Sequence, residues 1–416
     1  MSEYLAVIGL EIHVQLKTKS KVFCSCSTQF GAPPNTQTCP VCLGLPGVLP
    51  VLNYRAFCYA IKTALALNCN IASWTRFDRK NYYYPDLPKN YQISQYAFPI
   101  GTNGYLEIEI GDKIKKIGIR RVHLEEDAGK LVHSEDGRFS FVDYNRSGIP
   151  LLEIVTEPDI NSPDEAYVFL QELRTTLLYL GVSDCNMEEG SLRCDSNISL
   201  KKLGEKKLGT KTELKNMNTF KGVRQALEYE IHRQTMLLED GKSVTQETRL
   251  WDASRQVTYP MRTKEEIHDY RYFPDPDLVE YEISEDLIQQ LKMEIPELPL
   301  SRKRRFKHQY QLPDGDIEIL IREKSLADYF ESTMKHYNRP KFLCNFLITD
   351  ILGALNEMRI DINDAKLSPL NCAKLLKMID KGIISIKIAK QIVSELLTTE
   401  IDPEHDIMSI LCRDCP

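Results

Sequence analysis

The chain has no long hydrophobic run and no excess of positive charge, and each absence excludes a class of function. No stretch of the 416 residues approaches the roughly 18 consecutive apolar residues that a membrane-spanning helix needs, so no membrane partner is expected. The formal net charge is −6. A general nucleic-acid binder is therefore not expected, and any RNA contact must come from local basic patches.

Signals of secretion and of covalent catalysis are also missing. The first residues carry no basic segment, and the apolar run that follows is interrupted by Glu11 and His13, which is unlike a signal peptide. The 12 cysteines therefore indicate reduced thiols in a cytoplasmic protein. There is no Gly-x-Ser-x-Gly elbow, no Walker A motif and no kinase-type glycine loop. A serine hydrolase is not indicated, and any nucleotide must be held by another arrangement.

What the sequence does contain, near its start, is four cysteines in two close pairs. They are Cys24, Cys26, Cys39 and Cys42, and glycine and proline turn the chain between the pairs. Such pairs are typical of a closed tetrahedral zinc site. Four protein ligands leave no open position for a substrate, so we expect this zinc to hold the loop 24–42 in shape. The alternative is four unligated buried cysteines.

The apolar segment 6–16 just before these cysteines carries three polar residues at alternate positions. On a β-strand, Glu11, His13 and Gln15 would share one face, and six apolar side chains would share the other. A carboxylate, an imidazole and an amide on one face of a sheet predict a cation site.

More acidic residues lie in strand-like segments further along the chain. Alternation over residues 117–127 places Glu125 with Arg121 and His123, and places Glu126 on the other face unless a bulge re-aims it. The candidate ligands are Glu11, His13, Glu125, Glu126, Glu153, Asp195 and Glu213. Carboxylates gathered on one face raise each other's pKa unless a cation neutralises them. The pattern predicts a Mg²⁺-dependent site of the kind that carries phosphoryl transfer, although a single strand carboxylate more often has only a salt-bridge partner.

Residues 77–95 crowd aromatic rings, basic residues and prolines together. Because no packed helix or strand suits that mixture, we predict a loop that binds a phosphate and stacks on a base. The alternative is a surface loop that packs on its own domain. The candidate nucleotide-binding residues are Arg79, Lys80, Tyr83, Lys89 and Ser94.

Two basic patches are candidates for contact with RNA phosphates. Six lysines surround two glycines in residues 201–215, a predicted hairpin with Lys206 and Lys207 near its centre. The second patch is the basic run 302–308, which includes Lys303 and Arg304. A merely solvated turn or helix would have the same composition.

The periodicity of the chain changes near residue 294. Before it, strand-like segments with helices at 54–67, 162–181 and 218–238 predict an α+β domain over residues 1–293. After it, a linker at 294–300 leads into a predicted all-α domain over residues 294–416. Its helices are predicted at 302–311, 323–337, 341–357, 368–381 and 385–398.

Several long motifs together resemble a known family, the B subunits of aspartyl/glutamyl-tRNA(Asn/Gln) amidotransferases. Besides Glu11-Ile-His13, the cysteine quartet and the segment 77–95, they are HLEEDAGK, LLEIVTEPDI, MEEGSLRCDSNISL, GTKTELKNMN and DYRYFPDPDL. They occur in the family's order from residue 5 to about residue 280, and a weaker likeness continues through the helical part.

The resemblance implies a function that spacing alone does not give. It implies that ATP and Mg²⁺ are used to phosphorylate the side-chain carboxylate of misacylated Glu-tRNA(Gln) or Asp-tRNA(Asn), or both. Ammonia from a glutaminase A subunit, in a heterotrimer with a small C subunit, then gives Gln-tRNA(Gln) or Asn-tRNA(Asn). Such a reaction needs positioning and charge neutralisation, and no covalent enzyme intermediate. The alternatives are a metal-dependent RNA phosphohydrolase and a non-catalytic tRNA-binding or assembly subunit.

By motif match, the resemblance also implies roles for individual residues and an order of domains. The metal-site positions of the family fall on Glu11, His13, Glu125, Glu153 and Asp195, and the zinc ligands of its zinc-bearing members fall on the cysteine quartet. Glu11, His13, Glu125 and Asp195 are the implied catalytic residues. The implied fold is a cradle domain with an antiparallel sheet, a helical domain and a small tail domain. The chain ends at Cys412–Pro416, about where that tail would begin.

Overall fold

The computed structural model describes residues 3–111, 113–261 and 270–403. Asp269 of the last motif and the end at Cys412–Pro416 lie outside these described residues. The chain divides into two compact units, Met1–Pro296 and Glu297–Pro416.

The first unit mixes strands and helices. Its described strands are β1 (Tyr4–Gln15), β2 (Asn70–Ile71), β3 (Trp74–Thr75), β4 (Asp78–Asn81), β5 (Tyr91–Ser94), β6 (Gly101–Ile110), β7 (Lys113–Glu126), β8 (Lys130–His133), β9 (Ser140–Asp143), β10 (Pro150–Thr156), β11 (Leu192–Lys202), β12 (Thr212–Lys215), β13 (Thr248–Asp252), β14 (Val257–Pro260), β15 (Phe273–Pro274) and β16 (Tyr281–Glu282). Its helices are α1 (Tyr54–Ala66), α2 (Pro163–Leu180), α3 (Phe220–Glu239) and α4 (Glu285–Met293).

A large sheet with β1 at its centre organises this unit. Among the described residues the strand order is β14-β13-β12-β11-β1-β10-β7-β6-β2, and every pair is antiparallel except β12 with β13. Ile8, Leu10, Ile12 and Val14 of β1 are buried on one face, and helices α2 and α3 pack against the sheet. The predicted alternation of β1 and the predicted α+β class are confirmed.

Helix α2 shows how closely local signals determine the ends of a helix. Ser162 Oγ accepts a hydrogen bond from the Glu165 backbone N–H at 3.1 Å, and Pro163 occupies the first turn, where its missing N–H costs nothing. Gly181 ends the helix in the left-handed region, at φ 68°. The predicted helix at 162–181 is confirmed, as are those at 54–67 and 218–238.

The prediction of a loop over residues 77–95 is wrong at both ends. Strands β4 and β5 pair with each other, and β15 adds a third strand beside β4. The basic side chains are accommodated on strands because they form cation–π contacts with aromatic rings. Arg79 Cζ lies 4.2 Å from the centroid of the Tyr91 ring, and Lys80 Nζ lies 4.7 Å from that of Tyr270. Only residues 82–90 remain a connecting loop.

The second unit is helical in its described part, which agrees with the periodicity of the sequence. Its elements are α5 (Pro299–Tyr310), α6 (Asp314–Ile321), α7 (Lys324–Met334), α8 (Pro340–Phe346), a π-helical turn (Leu347–Ile351), α9 (Leu352–Met358), α10 (Pro369–Asp380) and α11 (Ile386–Thr398). The single helix predicted at 341–357 is thus interrupted by a π turn, and the short helices α4 and α6 were not predicted. No helix in the described residues is long and apolar enough to cross a membrane.

Candidate active site and metal centre

The polar face of the large sheet brings acidic and imidazole side chains from four neighbouring strands together. In the register of the sheet, His13 of β1 stands opposite Glu153 of β10, and Glu153 stands opposite His123 of β7. On the other side of β1, Glu11 stands opposite Asp195 of β11. Because facing side chains of antiparallel strands are about 5 Å apart, the register places these groups within reach of each other.

The shortest distances define two overlapping groups of ligand atoms. His13 Nε2 lies 3.7 Å from Glu11 Oε1 and 3.6 Å from Glu153 Oε2. His123 Nε2 lies 3.2 Å from Glu153 Oε2 and 3.5 Å from Glu125 Oε2. Within each group the ligand atoms all lie within 4.8 Å of one another, and Glu153 belongs to both groups. Carboxylate oxygens this close together suit a hard divalent cation.

The charges of these groups depend strongly on one another. Burial by itself lowers the pKa of His123, but the carboxylates of Glu153 and Glu125 raise it to about 9. Burial raises the pKa of Glu153, yet His123 and His13 hold it well below its usual range. Burial and the nearby Glu153 raise the pKa of Glu11. Glu153 is therefore ionised at neutral pH, the form that binds a cation.

Three of the acidic residues predicted as ligands lie outside these two groups. Lys215 Nζ lies 3.2 Å from Asp195 Oδ2 and 3.3 Å from Glu213 Oε1, so these carboxylates hold an ammonium at the edge of the cluster. Glu126 points away from the cluster, as the strand alternation predicts. It accepts a hydrogen bond from the Ile93 backbone N–H at 2.9 Å and forms an ion pair with Lys89.

Two of the five nucleotide-binding candidates lie beside the acidic cluster. Ser94 Oγ donates a hydrogen bond to Glu125 Oε2 at 3.0 Å. Burial by itself lowers the pKa of Lys80, but Glu125 is the first of several neighbouring groups that raise it overall, so Lys80 is an ammonium facing the cluster. These two residues are the candidates that geometry associates with the metal-ligand groups.

The other three candidates lie elsewhere. Arg79 Nε and Nη2 donate to Asp275 Oδ2 and Asp277 Oδ2, each at 2.8 Å, on the opposite face of the β4–β5 hairpin. Lys89 forms an ion pair with Glu126. Tyr83 is 80% exposed in the connecting loop. The structure therefore does not bring these three to the acidic cluster.

A cavity of about 530 Å³ opens over the cluster. Its walls also contain cations and aromatic rings that the sequence did not single out as site residues: Tyr82, Tyr96, Arg121, His123, Arg193, Lys215, Tyr270 and Tyr272. For His123 and Arg193 a signal existed, since each lies two residues from an acidic candidate on the same strand. Tyr270 and Tyr272 gave no such spacing signal, because a distant segment brings them to the site, although both lie in the motif DYRYFPDPDL. A second cavity of about 290 Å³, with Gly9 and Lys211 in its wall, adjoins Glu11.

The four cysteines come together in the first unit as the spacing predicts. The Sγ atoms of Cys24, Cys26, Cys39 and Cys42 all lie within 4.8 Å of one another, which makes a candidate metal site of thiol ligands. A hydrogen bond from Cys24 lowers the pKa of Cys42 to about 4, and the ammonium of Lys21 contributes to the lowering. A lowered pKa favours the thiolate of Cys42, the form of cysteine that binds metal.

The two basic patches differ in how far they are neutralised. Lys206 and Lys207 are exposed in the turn between β11 and β12. In helix α5, Lys303 Nζ lies 2.9 Å from Glu318 Oε1, while Arg304 is exposed. The neighbouring Arg302 and Arg305 both pair with Glu331, so much of this basic run is compensated inside its own unit.

Comparison with known proteins places this site in a family. The model of the GatB/GatE catalytic domain matches residues 6–289, and that of the GatB domain matches residues 328–409. The B subunit of the aspartyl/glutamyl-tRNA(Asn/Gln) amidotransferase of Carboxydothermus hydrogenoformans is 55% identical over 407 residues, which is 97% of this chain and 85% of the relative. The corresponding protein of Thermodesulfovibrio yellowstonii is 54% identical over 397 residues, 95% of this chain and 83% of the relative. That of Thermoanaerobacter pseudethanolicus is 52% identical over 403 residues, 97% of this chain and 84% of the relative.

The first matched region carries the motifs on which the resemblance was drawn, and it contains the whole acidic cluster and the cysteine quartet. The resemblance is therefore confirmed, and the chain belongs to the GatB family, the B subunits of tRNA-dependent amidotransferases.

Proposed function

We propose that this chain activates and amidates the amino acid of misacylated Glu-tRNA(Gln), Asp-tRNA(Asn) or both, as the names of its relatives imply. In the first step an oxygen of the side-chain carboxylate attacks the γ-phosphorus of ATP, and ADP leaves. In the second step ammonia attacks the acyl carbon, phosphate leaves, and the nitrogen gives up a proton. The products are Gln-tRNA(Gln) or Asn-tRNA(Asn), ADP and phosphate.

The convergence of Glu11, His13, Glu125 and Glu153 on one face of the sheet carries this proposal. Their oxygen and nitrogen atoms fit Mg²⁺, which would supply charge neutralisation between the phosphates and the substrate carboxylate. Such a cluster suits a direct transfer between bound substrates, in which positioning and electrostatics make the main contribution.

The cations around the cavity would hold the negative charges of the substrates. Lys80 faces Glu125 from the β4–β5 hairpin, and Lys215 is held by Asp195 and Glu213 on the opposite side. An ammonium placed in this way can donate to phosphate oxygens without losing its carboxylate partners. In this proposal Asp195 serves the reaction by orienting Lys215, and Ser94 serves it by orienting Glu125.

The cysteine site would bind Zn²⁺ with four thiolates and stabilise the loop 24–42. Four sulfur ligands leave no position for a substrate, so we assign this metal no step of the reaction. The wall of the small cavity of about 180 Å³ beside Cys24 and Cys42 also includes Lys89 and Glu126. The cysteine loop therefore lies next to the face of the β4–β5 hairpin that points away from the acidic cluster.

The relatives are named as one subunit of an amidotransferase, which implies a complex with other subunits. We propose that a glutaminase A subunit supplies the ammonia and that a small C subunit completes a heterotrimer. Contact with the tRNA would then involve Lys206 and Lys207, with Lys303 and Arg304 as a second patch. These exposed or partly exposed cations would bind phosphates and give affinity that depends on salt.

The test is ATP cleavage by the purified complex with and without misacylated tRNA. We expect ADP to form only when Glu-tRNA(Gln) or Asp-tRNA(Asn) is present, and comparing the two tRNAs identifies the substrate. A Glu125→Ala variant should lose ADP and amide formation while glutamine hydrolysis continues. Amide formation that survives this change would refute the assignment of the acidic cluster.

Two other functions predict different results in the same assay. An RNA phosphohydrolase would shorten the tRNA in a metal-dependent way without consuming ATP. A non-catalytic assembly protein would bind tRNA, and the Glu125→Ala variant would leave amide formation intact. The acidic cluster favours the amidotransferase reaction over the second alternative, because its carboxylates line a cavity of about 530 Å³ that a substrate can enter, whereas purely structural ion pairs need no cavity.

A further inference from the structure

Lys21 is among the largest fully buried side chains of the described residues, which is unusual for a lysine. It lies between strand β1 and the first cysteine pair, and it is 0% exposed. Its backbone N–H donates to the carbonyl of Cys26 at 3.0 Å, so the residue belongs to the cysteine loop. A buried ammonium loses its hydration, which costs several kcal/mol unless other groups replace the water.

Two acceptor atoms of the protein take the place of water around the Lys21 ammonium. Lys21 Nζ donates to the carbonyl oxygen of Tyr144 at 3.2 Å, and it lies 3.6 Å from Cys42 Sγ. Within the described part of the chain no carboxylate lies within 4.0 Å of this ammonium. Cys42 is therefore the group in contact with Lys21 that can carry the balancing negative charge.

The backbone of Gly148 lies beside this pair, in the wall of the cavity of about 180 Å³. Gly148 has φ 84°, a conformation that favours glycine, and a Cβ atom there would lie 3.4 Å from Lys21 Cδ and 3.6 Å from Cys42 Cβ. The carbonyl of Gly148 accepts a hydrogen bond from the Val22 N–H at 2.8 Å, which fixes it beside the cysteine loop. The contact between ammonium and sulfur is itself buried, and a buried electrostatic interaction is stronger than one in water.

A divalent ion bound by four thiolates keeps a net double negative charge, and the enclosed site must compensate part of it. We propose that Lys21 is the charge-compensating residue of the cysteine metal centre, donating an N–H···S hydrogen bond to Cys42. The bond withdraws electron density from this sulfur and makes it a weaker nucleophile toward electrophiles and oxidants. This inference rests on the proposed Zn²⁺ site, and it assigns Lys21 no part in amide formation.

Alkylation of the zinc-loaded complex by iodoacetamide tests the proposal, with the modified cysteines mapped by mass spectrometry. Lys21→Met and Lys21→Gln remove the cation, Lys21→Arg retains it, and Lys19→Met is the control because Lys19 is exposed on the same loop. We expect Cys42 to react about tenfold faster in the Met and Gln variants and at close to the original rate in the Arg and control variants.

Metal content measured on the same samples separates the two proposals. Wild-type protein without zinc would refute the zinc site and this inference with it. Zinc-loaded variants in which Cys42 reacts at the wild-type rate would refute the role of Lys21 alone. If Lys21→Met does not fold, the comparison of Gln with Arg decides, since equal rates in these two variants would also refute it. Cobalt substitution gives a second readout, because the sulfur-to-cobalt absorption should move to longer wavelength when the cation is lost.

Discussion

His13 and Glu153 face each other across neighbouring antiparallel strands, with His13 Nε2 3.6 Å from Glu153 Oε2. Glu153 also lies 3.2 Å from His123 on its other side. One carboxylate therefore belongs to both groups of ligand atoms, and the whole arrangement depends on its negative charge.

Neutralising Glu153 should consequently disable the site. In a Glu153→Gln variant we expect amide formation to fall about 100-fold or more, because the variant loses a charge that both ligand groups share. Glutamine hydrolysis in the complex should persist. The measurement is the rate of Gln-tRNA or Asn-tRNA formation from misacylated tRNA. Glu157→Gln is the matched control, since Glu157 pairs with Arg120 at the surface, and a similar loss in both variants would contradict the prediction.

Replacing Lys80 should weaken the use of ATP. A Lys80→Met variant removes the ammonium that faces Glu125, so the KM for ATP should rise about 10- to 100-fold, the effect of losing one charge-assisted hydrogen bond. Steady-state ADP formation at varied ATP measures it. Lys116→Met is the control, because Lys116 lies on the exposed side of β7 over Tyr105. An unchanged KM would remove Lys80 from the nucleotide site.

The cysteine site can be tested by metal analysis. Cys39→Ser should reduce the zinc content of protein purified without chelator to background, since one of the four sulfur ligands is lost. Cys58→Ser changes a cysteine outside the cluster and should leave the zinc content unchanged. Equal zinc in both variants, or none in the wild type, would mean that the quartet binds no zinc.

The role of the basic turn between β11 and β12 in tRNA binding can be tested by measuring how the binding depends on salt. Reversing both charges, with Lys206→Glu and Lys207→Glu, should weaken tRNA binding at low salt and lower the salt slope by about 1 for each lost phosphate contact. Filter binding over a range of salt concentrations measures both effects. The control pair Lys113→Glu and Lys116→Glu changes another strand of the same unit. If the two pairs behave alike, the turn is merely solvated.

Stability of the helical unit should depend on pH through Glu331. Burial by itself raises the pKa of Glu331, but hydrogen bonds from Arg305 and Arg302 lower it overall. Its folded pKa is thus below its unfolded value, so its contribution is present above the unfolded pKa of about 4.3 and is lost as the pH falls through the folded pKa. Urea unfolding should show Glu331→Gln less stable than wild type near pH 7, with a difference that shrinks toward about pH 3.

The exposed Glu357 provides the comparison for that experiment. Glu357→Gln should unfold like the wild type at both pH values, because Glu357 forms no ion pair with any residue that the structure describes. A stability difference between Glu331→Gln and the wild type that stays constant with pH would mean that the bonds of Glu331 to Arg302 and Arg305 contribute no charge-dependent stability.

Much of the fold could be read from local patterns. The alternation in β1 requires only that successive side chains point to opposite faces, and the ends of α2 follow from Ser162, Pro163 and Gly181. The same alternation correctly separated Glu125 from Glu126. The loop predicted at 77–95 failed because the partners that accommodate its basic residues on strands, such as Asp275 and Tyr270, lie almost 200 residues away.

By itself the sequence determined the family and the α+β class, because motifs and periodicity are properties of contiguous residues, and it predicted which residues carry the chemistry. Only the tertiary structure decided which of them meet. Strand register brought His123 to Glu153 and left Asp195 with Lys215, and the packing of the first unit placed Lys89 beside Glu126. Register is set by packing over the whole sheet, where a shift of one residue would reverse every side chain, and no local pattern contains that information.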